Sequence, residues 1–164
     1  MTVRPYDPET DFEAVAGFIS DRRTHALWCA GRTAYPLERE TFHGFLRSEE
    51  SFGTRAYTAA EDGRTVGFFC LAPNRETGEA MLKFVVIDGS LRGRGLGTKM
   101  LSLACDLAFE DAEINAVQLM VFSVNEAARR CYRKAGFTER SVTENAFAYE
   151  SKKWDRCNMV RYRD

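Results

Sequence analysis

An α/β domain, in the sense of an α+β mixed sheet with helices on both faces, is what this sequence predicts, on three observations. Asp62-Gly63 separates two strand-like apolar segments, a strong hairpin signal. The continuously apolar run Phe84-Val85-Val86-Ile87 reads as a strand buried on both faces. It leads through a glycine-rich segment into an amphipathic helix, and a second apolar strand and helix follow.

Taken in order, Val3 to Tyr6 reads as a short strand. Pro8 to Arg23 reads as one helix, with Phe12, Val15, Ala16 and Ile19 on one stripe. Residues 24 to 37 read as irregular, and Leu37 to Arg47 as a short helix with Phe42, Phe45 and Leu46 inward. Arg55 to Ala60 and Thr65 to Ala72 are the hairpin strands, and Glu79 to Asp88 is a longer strand. Leu96 to Asp111 predicts a helix with Leu96, Met100, Leu103, Ala104 and Leu107 on its inner stripe. Ala116 to Phe122 is a strand, and Glu126 to Ala135 a helix stopped by Gly136, as a C-terminal glycine stops one. Phe137 to Arg163 reads as two antiparallel strands around a loop near Glu150 to Lys152.

The 164 residues show no repeat, low-complexity tract or linker, so residues 1–164 are read as one domain. With 23 basic and 24 acidic residues the chain has no general electrostatic footprint for nucleic acid. Met1 to Tyr6 holds no apolar signal core, and no run approaches the roughly 20 apolar residues that cross a bilayer. The expectation is a cytoplasmic protein that uses neither nucleic acid nor membrane. Cys29, Cys70, Cys105, Cys131 and Cys157 lack CxxC spacing and fit buried free thiols. No Cys/His cluster has the spacing of a metal site.

Asp88-Gly89-Ser90-Leu91-Arg92-Gly93-Arg94-Gly95-Leu96-Gly97 lies between strand and helix. Glycines let backbone approach a ligand, and the free amides and dipole of a helix N-terminus favour an anion. Arg92 and Arg94 add guanidinium donors. Phosphate or pyrophosphate is the natural guest. The order Gly97-Thr98-Lys99 misplaces the lysine of a P-loop, and Thr98 stands where a dinucleotide fingerprint needs its third glycine.

Arg92-Gly93-Arg94-Gly95-Leu96-Gly97 resembles the [QR]-x-x-G-x-[GA] signature of the GNAT superfamily of N-acetyltransferases. Asn125-Glu-Ala-Ala128-Arg-Arg-Cys-Tyr132-Arg-Lys-Ala-Gly136-Phe137 resembles that family's second block, N-x-x-A-x-x-x-Y-x-x-x-G-F. The resemblance implies a single N-acetyltransferase domain with a central, mostly antiparallel sheet. One parallel strand pair would be splayed, with helices flanking. It implies acetyl-CoA (coenzyme A) as cofactor, a small-molecule or peptide amine as acceptor, and a monomer or homodimer. Arg92, Gly93, Arg94, Gly95, Leu96 and Gly97, with Thr98 in the next position, would hold the pyrophosphate through backbone amides. Val85, Val86 and Ile87 would run beside the pantetheine arm, and Asn125 and Ala128 would touch it. Tyr132 would lie near the sulfur.

Acyl transfer to an amine needs a neutral amine, a stabilised oxyanion and a thiolate that can leave. An amine with a pKa of about 10.4 is only about 0.1% neutral at about pH 7.4, so removing its proton is uphill by roughly 4 kcal/mol. Tyr132 is the expected general acid to the leaving thiolate, a step uphill by roughly 2 kcal/mol for ordinary pKa values. Glu79 is the expected base, at a position where some family members carry a glutamate; Met81 stands where others carry it. Glu38 and Glu144 are further candidates. Asn125 also reads as a helix N-cap. The acceptor side would draw on His25, Trp28, Arg32, Tyr35, Phe147 and Tyr149, which do not identify the acceptor. The alternative function is a non-catalytic acyl-CoA-binding or regulatory module on the same fold.

Overall fold

A computed structural model describes residues 1–164. The elements in chain order are β1 (Thr2–Pro5), α1 (Pro8–Phe18), α2 (Arg22–Cys29), α3 (Arg39–Glu50), β2 (Arg55–Glu61), β3 (Arg64–Asn74), β4 (Glu79–Ile87), α4 (Leu96–Phe109), β5 (Ala116–Phe122), α5 (Glu126–Lys134), β6 (Thr138–Tyr149) and β7 (Lys152–Tyr162). The seven strands form one sheet in the order β1-β2-β3-β4-β5-β7-β6. Every neighbouring pair is antiparallel except β4 and β5, which α4 connects as a crossover helix. No helix is long and apolar enough to cross a membrane.

The sheet separates two cores. On one face Met100, Leu101, Ala104 and Cys105 of α4 pack with Leu82, Leu119, Tyr132 and Met159. On the other, Phe12, Val15 and Phe18 of α1 and Phe42 of α3 pack with Phe68, Cys70, Phe84 and Val86. A buried carboxylate ties the second core to the sheet edge. Asp11, fully buried, takes two bonds from the Arg4 guanidinium at 2.6 and 2.7 Å, one from the Asp7 amide, and one each from the Thr58 and Thr65 hydroxyls.

Three expectations need correction. The helix expected over Pro8 to Arg23 ends at Phe18, and the stretch read as irregular contains most of α2. Asp21, with extended backbone, starts that second helix by accepting the Thr24 amide at 2.8 Å. The buried stripe of α4 is Met100, Leu101, Ala104, Cys105 and Ala108; Leu96, Leu103 and Leu107 are half-buried. The helix is rotated because α5 as well as the sheet covers it. All five cysteines are free thiols, and only Cys131 is not fully buried.

Candidate active site

The parallel pair is short. Glu79 to Leu82 stand opposite Ala116 to Leu119, and there the pairing stops. Beyond it β4 continues through Ile87 and β5 through Phe122 without facing each other, so the sheet opens into a fork toward the C-terminal ends of both strands. The fork begins beside a bulge. Phe84 and Val85 of β4 oppose Phe69 alone, because Cys70 pairs with Lys83 and Phe68 with Val86. Phe84 has φ 53°, a left-handed conformation that a bulky residue adopts only under constraint. The bulge also resets the alternation of β4. Ala80 and Leu82 face the α4 core, Lys83 reaches Glu49 of α3, Phe84 joins the α1–α3 core, and Val85 returns to the α4 core.

The glycine-rich loop sits at the open end of the fork. Asp88 follows β4 and fixes the turn Gly89–Leu91, its Oδ1 accepting the Ser90 amide at 2.9 Å and hydroxyl at 2.7 Å. Those Ser90 bonds and the Arg64 guanidinium hold the Asp88 carboxyl below its ordinary pKa despite desolvation. Gly93 and Gly95 have φ 79° and 78°, and Gly95 caps α4 with no side chain bonding its first turn. The amides from Gly93 to Thr98 donate to no protein acceptor; the first bond of the helix is Lys99 N–H to the Gly95 carbonyl. Free amides at a helix N-terminus are the arrangement that can receive an anion. Gly97 has a different reason to be glycine. A Cβ there would stand 2.9 Å from Cys131 Sγ, so its absence lets α4 and α5 touch.

Tyr132 lies in the α4 core, 8% exposed, and its hydroxyl bonds no protein group. Burial, then the nearby Cys131, pushes its pKa well above the ordinary phenol value, so it is a neutral donor. Asn125 caps α5, accepting the Ala128 amide at 3.3 Å. Glu79 lies at the closed end of the fork. It takes Arg140 Nη1 at 2.7 Å and Nη2 at 3.2 Å, and a further bond from Gln118. The Arg140 bonds lower its pKa against a desolvation that would raise it.

On the α1–α3 face, α2 bridges the mouth of the fork. Trp28 Nε1 donates to the Phe84 carbonyl at 2.7 Å on the β4 side. Ala26 packs with Phe122 and Trp154 on the other, where Phe147 and Tyr149 also gather. Arg32 pairs with Glu49 at 2.6 Å, and Lys83 reaches the same carboxylate at 2.8 Å. His25 is buried, bonded to Thr33 Oγ1 at 2.9 Å and close to Cys29 Sγ at 3.3 Å; burial lowers its pKa and keeps it neutral. Tyr35 packs on His25. Glu38 and Glu144 are exposed and make no ion pair. The bulge and the Trp28 bond escaped the sequence reading, since neither a glycine nor a polar break marks Phe84.

The profile of the "Acetyltransferase (GNAT) family" matches residues 19–137. An "Aminoglycoside N(6')-acetyltransferase type 1" of Klebsiella pneumoniae is 40% identical over 136 residues, 74% of this chain; the chain spans only 66% of that relative's length. An "L-2,4-diaminobutyric acid acetyltransferase" of Streptomyces avermitilis is 27% identical over 139 residues, 80% of this chain and 78% of its own. A solved structure of spermidine N-acetyltransferase from Vibrio cholerae, in complex with CoA and spermine, superposes with TM-score 0.81 at 18% identity, covering 98% of this chain and 94% of that one.

Proposed function

The chain belongs to the acetyltransferase (GNAT) family, and on that premise we propose that it transfers an acetyl group from acetyl-CoA to a primary amine. The observation that carries the reading is the cradle of free amides from Gly93 to Thr98 at the open end of the β4–β5 fork. A pyrophosphate on those amides leaves the pantetheine arm to run along Val85, Val86 and Ile87. Asn125 and Ala128 stand at the start of α5, beyond β5. A cytoplasmic setting fits the five free thiols.

When bound, acetyl-CoA supplies a thioester that the amine attacks, so a C–N bond forms as the C–S bond breaks. The residues do the rest. The Val85 amide, at the bulge and past the last β4–β5 pair, would meet the carbonyl oxygen where negative charge develops. Tyr132 gives its proton to the departing sulfur. Burial that raises its pKa keeps the proton on the phenol until the sulfur departs. The proton of the amine leaves through water. We do not assign its removal to Glu79, whose carboxylate is held by Arg140 and Gln118. Glu79→Gln is expected to lower the melting temperature while leaving kcat and its pH profile unchanged. A loss of about 10²–10⁴-fold in kcat would restore it as the base.

The direct test is thiol release from acetyl-CoA with α-amines, lysine peptides, polyamines and aminoglycosides. Release with at least one amine is expected. Binding without release across the panel would leave a non-catalytic acyl-CoA module. Gly95→Val is expected to weaken coenzyme A binding about tenfold, because a β-branched residue at φ 78° costs at least about 1.4 kcal/mol of loop geometry. Titration calorimetry reads the difference.

A further inference from the structure

We propose that Trp28 is a positioning residue for acyl transfer, holding the β4 bulge in the geometry that presents its amide to the thioester carbonyl; the proposal rests on the acetyl-transfer reading above. Phe84 is the residue of the fork that ordinary backbone preference would straighten. Its φ of 53° is costly for an aromatic side chain. Such a conformation persists only where the surroundings over-determine it, and here the surroundings are specific. Phe45 meets the Phe84 ring edge to face at 5.1 Å, and Trp28 meets it at 5.9 Å. Those contacts fix the ring. The carbonyl is fixed separately, by the Trp28 indole N–H at 2.7 Å.

That bond has a consequence beyond packing. The Phe84 carbonyl sits at the bulge of a residue only 8% exposed, and the indole N–H gives this buried acceptor a partner. A peptide unit is planar and trans. Fixing the Phe84 oxygen therefore fixes the N–H of Val85 in the same plane, and with it the edge that β4 turns to the fork. Trp28 stands on α2, the helix that bridges the mouth of the fork to Phe122 and Trp154. Movement of α2 on the acceptor side is thus transmitted through one hydrogen bond to the backbone nearest the reacting carbonyl. A phenylalanine at position 28 would fill much of the same space and transmit nothing.

The test compares wild type with Trp28→Phe, both loaded with acetyl-CoA carrying an isotope-labelled carbonyl, by difference infrared spectroscopy. In wild type the carbonyl band is expected below its position in free acetyl-CoA, as a hydrogen-bonded carbonyl absorbs. In Trp28→Phe it is expected to move back toward the free position. Acetyl-CoA affinity should stay within about twofold, and kcat with a responsive amine should fall about tenfold, part of the 10²–10³-fold that one oxyanion donor is worth. An unchanged band with unchanged kcat overturns the proposal. So does a loss of affinity that fully accounts for the loss of rate, which marks Trp28 as packing. Should Trp28→Phe fail to fold, benzothienylalanine at position 28, with the same shape and no N–H, is read by the same criteria. If wild type binds no acetyl-CoA, the acetyl-transfer reading itself fails and the positioning role falls with it. A bound but unshifted carbonyl in wild type overturns the positioning role alone.

Discussion

Tyr132→Phe is expected to lower kcat by about a hundredfold or more, the contribution of a positioned general acid, while acetyl-CoA affinity and melting temperature stay close to wild type. The separation is what makes the result informative. The hydroxyl bonds no protein group, so its removal leaves no buried partner orphaned, and the ring keeps its contacts with Phe137 and the α4 core. A structural tyrosine would behave in the opposite way, losing stability before rate. Steady-state kinetics with any responsive amine, beside a melting curve and a calorimetric titration of coenzyme A, distinguishes the two. Unchanged kcat would remove Tyr132 from the chemistry.

The largest expected effect on stability belongs to Asp11→Ala. Removing this carboxylate strands the Thr58 and Thr65 hydroxyls and the Asp7 amide, and leaves Arg4 without its partner. Stranding these donors costs about 3 kcal/mol, which for a chain of this size lowers the melting temperature by roughly 6–12 °C. The same group gives stability a pH dependence. Desolvation alone would raise the Asp11 pKa, but Arg4, the Asp7 amide and Thr65 outweigh it and hold the folded value below 3.8. A folded value below the unfolded one stabilises the fold above the unfolded pKa. That contribution is lost as pH falls through the folded value, and Glu49, held low by Lys83 and Arg32 against its own desolvation, behaves likewise. Acid melting of wild type should therefore steepen below about pH 4, and Asp11→Ala should flatten that limb.

The parts of the site legible in the sequence are those where local chemistry decides the structure. Gly93 and Gly95 announce positive φ by being glycine, and Asn125 announces a cap by its short polar side chain. The strands around them could be placed because an apolar run of β-branched and aromatic residues has few other uses. What stayed hidden depends on distant partners. Nothing near Glu79 in sequence shows Arg140, 61 positions on, which pairs with its carboxylate. The break before α2 hid inside a continuous helical pattern, although Asp21 and Thr24 carry the spacing of a cap. The bulge at Phe84 is hidden most completely. Its conformation opposes local preference and is held by Trp28 and Phe45, so only the folded chain displays it.

The proposed role of the loop opening α4 is to receive the pyrophosphate of coenzyme A beside the β4–β5 fork. Titration calorimetry of wild type and Gly95→Val with acetyl-CoA, repeated in excess ATP, tests it most directly. The expected result is one site per chain, weakened about tenfold in Gly95→Val and undisturbed by ATP. No heat of binding with acetyl-CoA or coenzyme A at millimolar concentration, or equal affinity in both proteins, would contradict it.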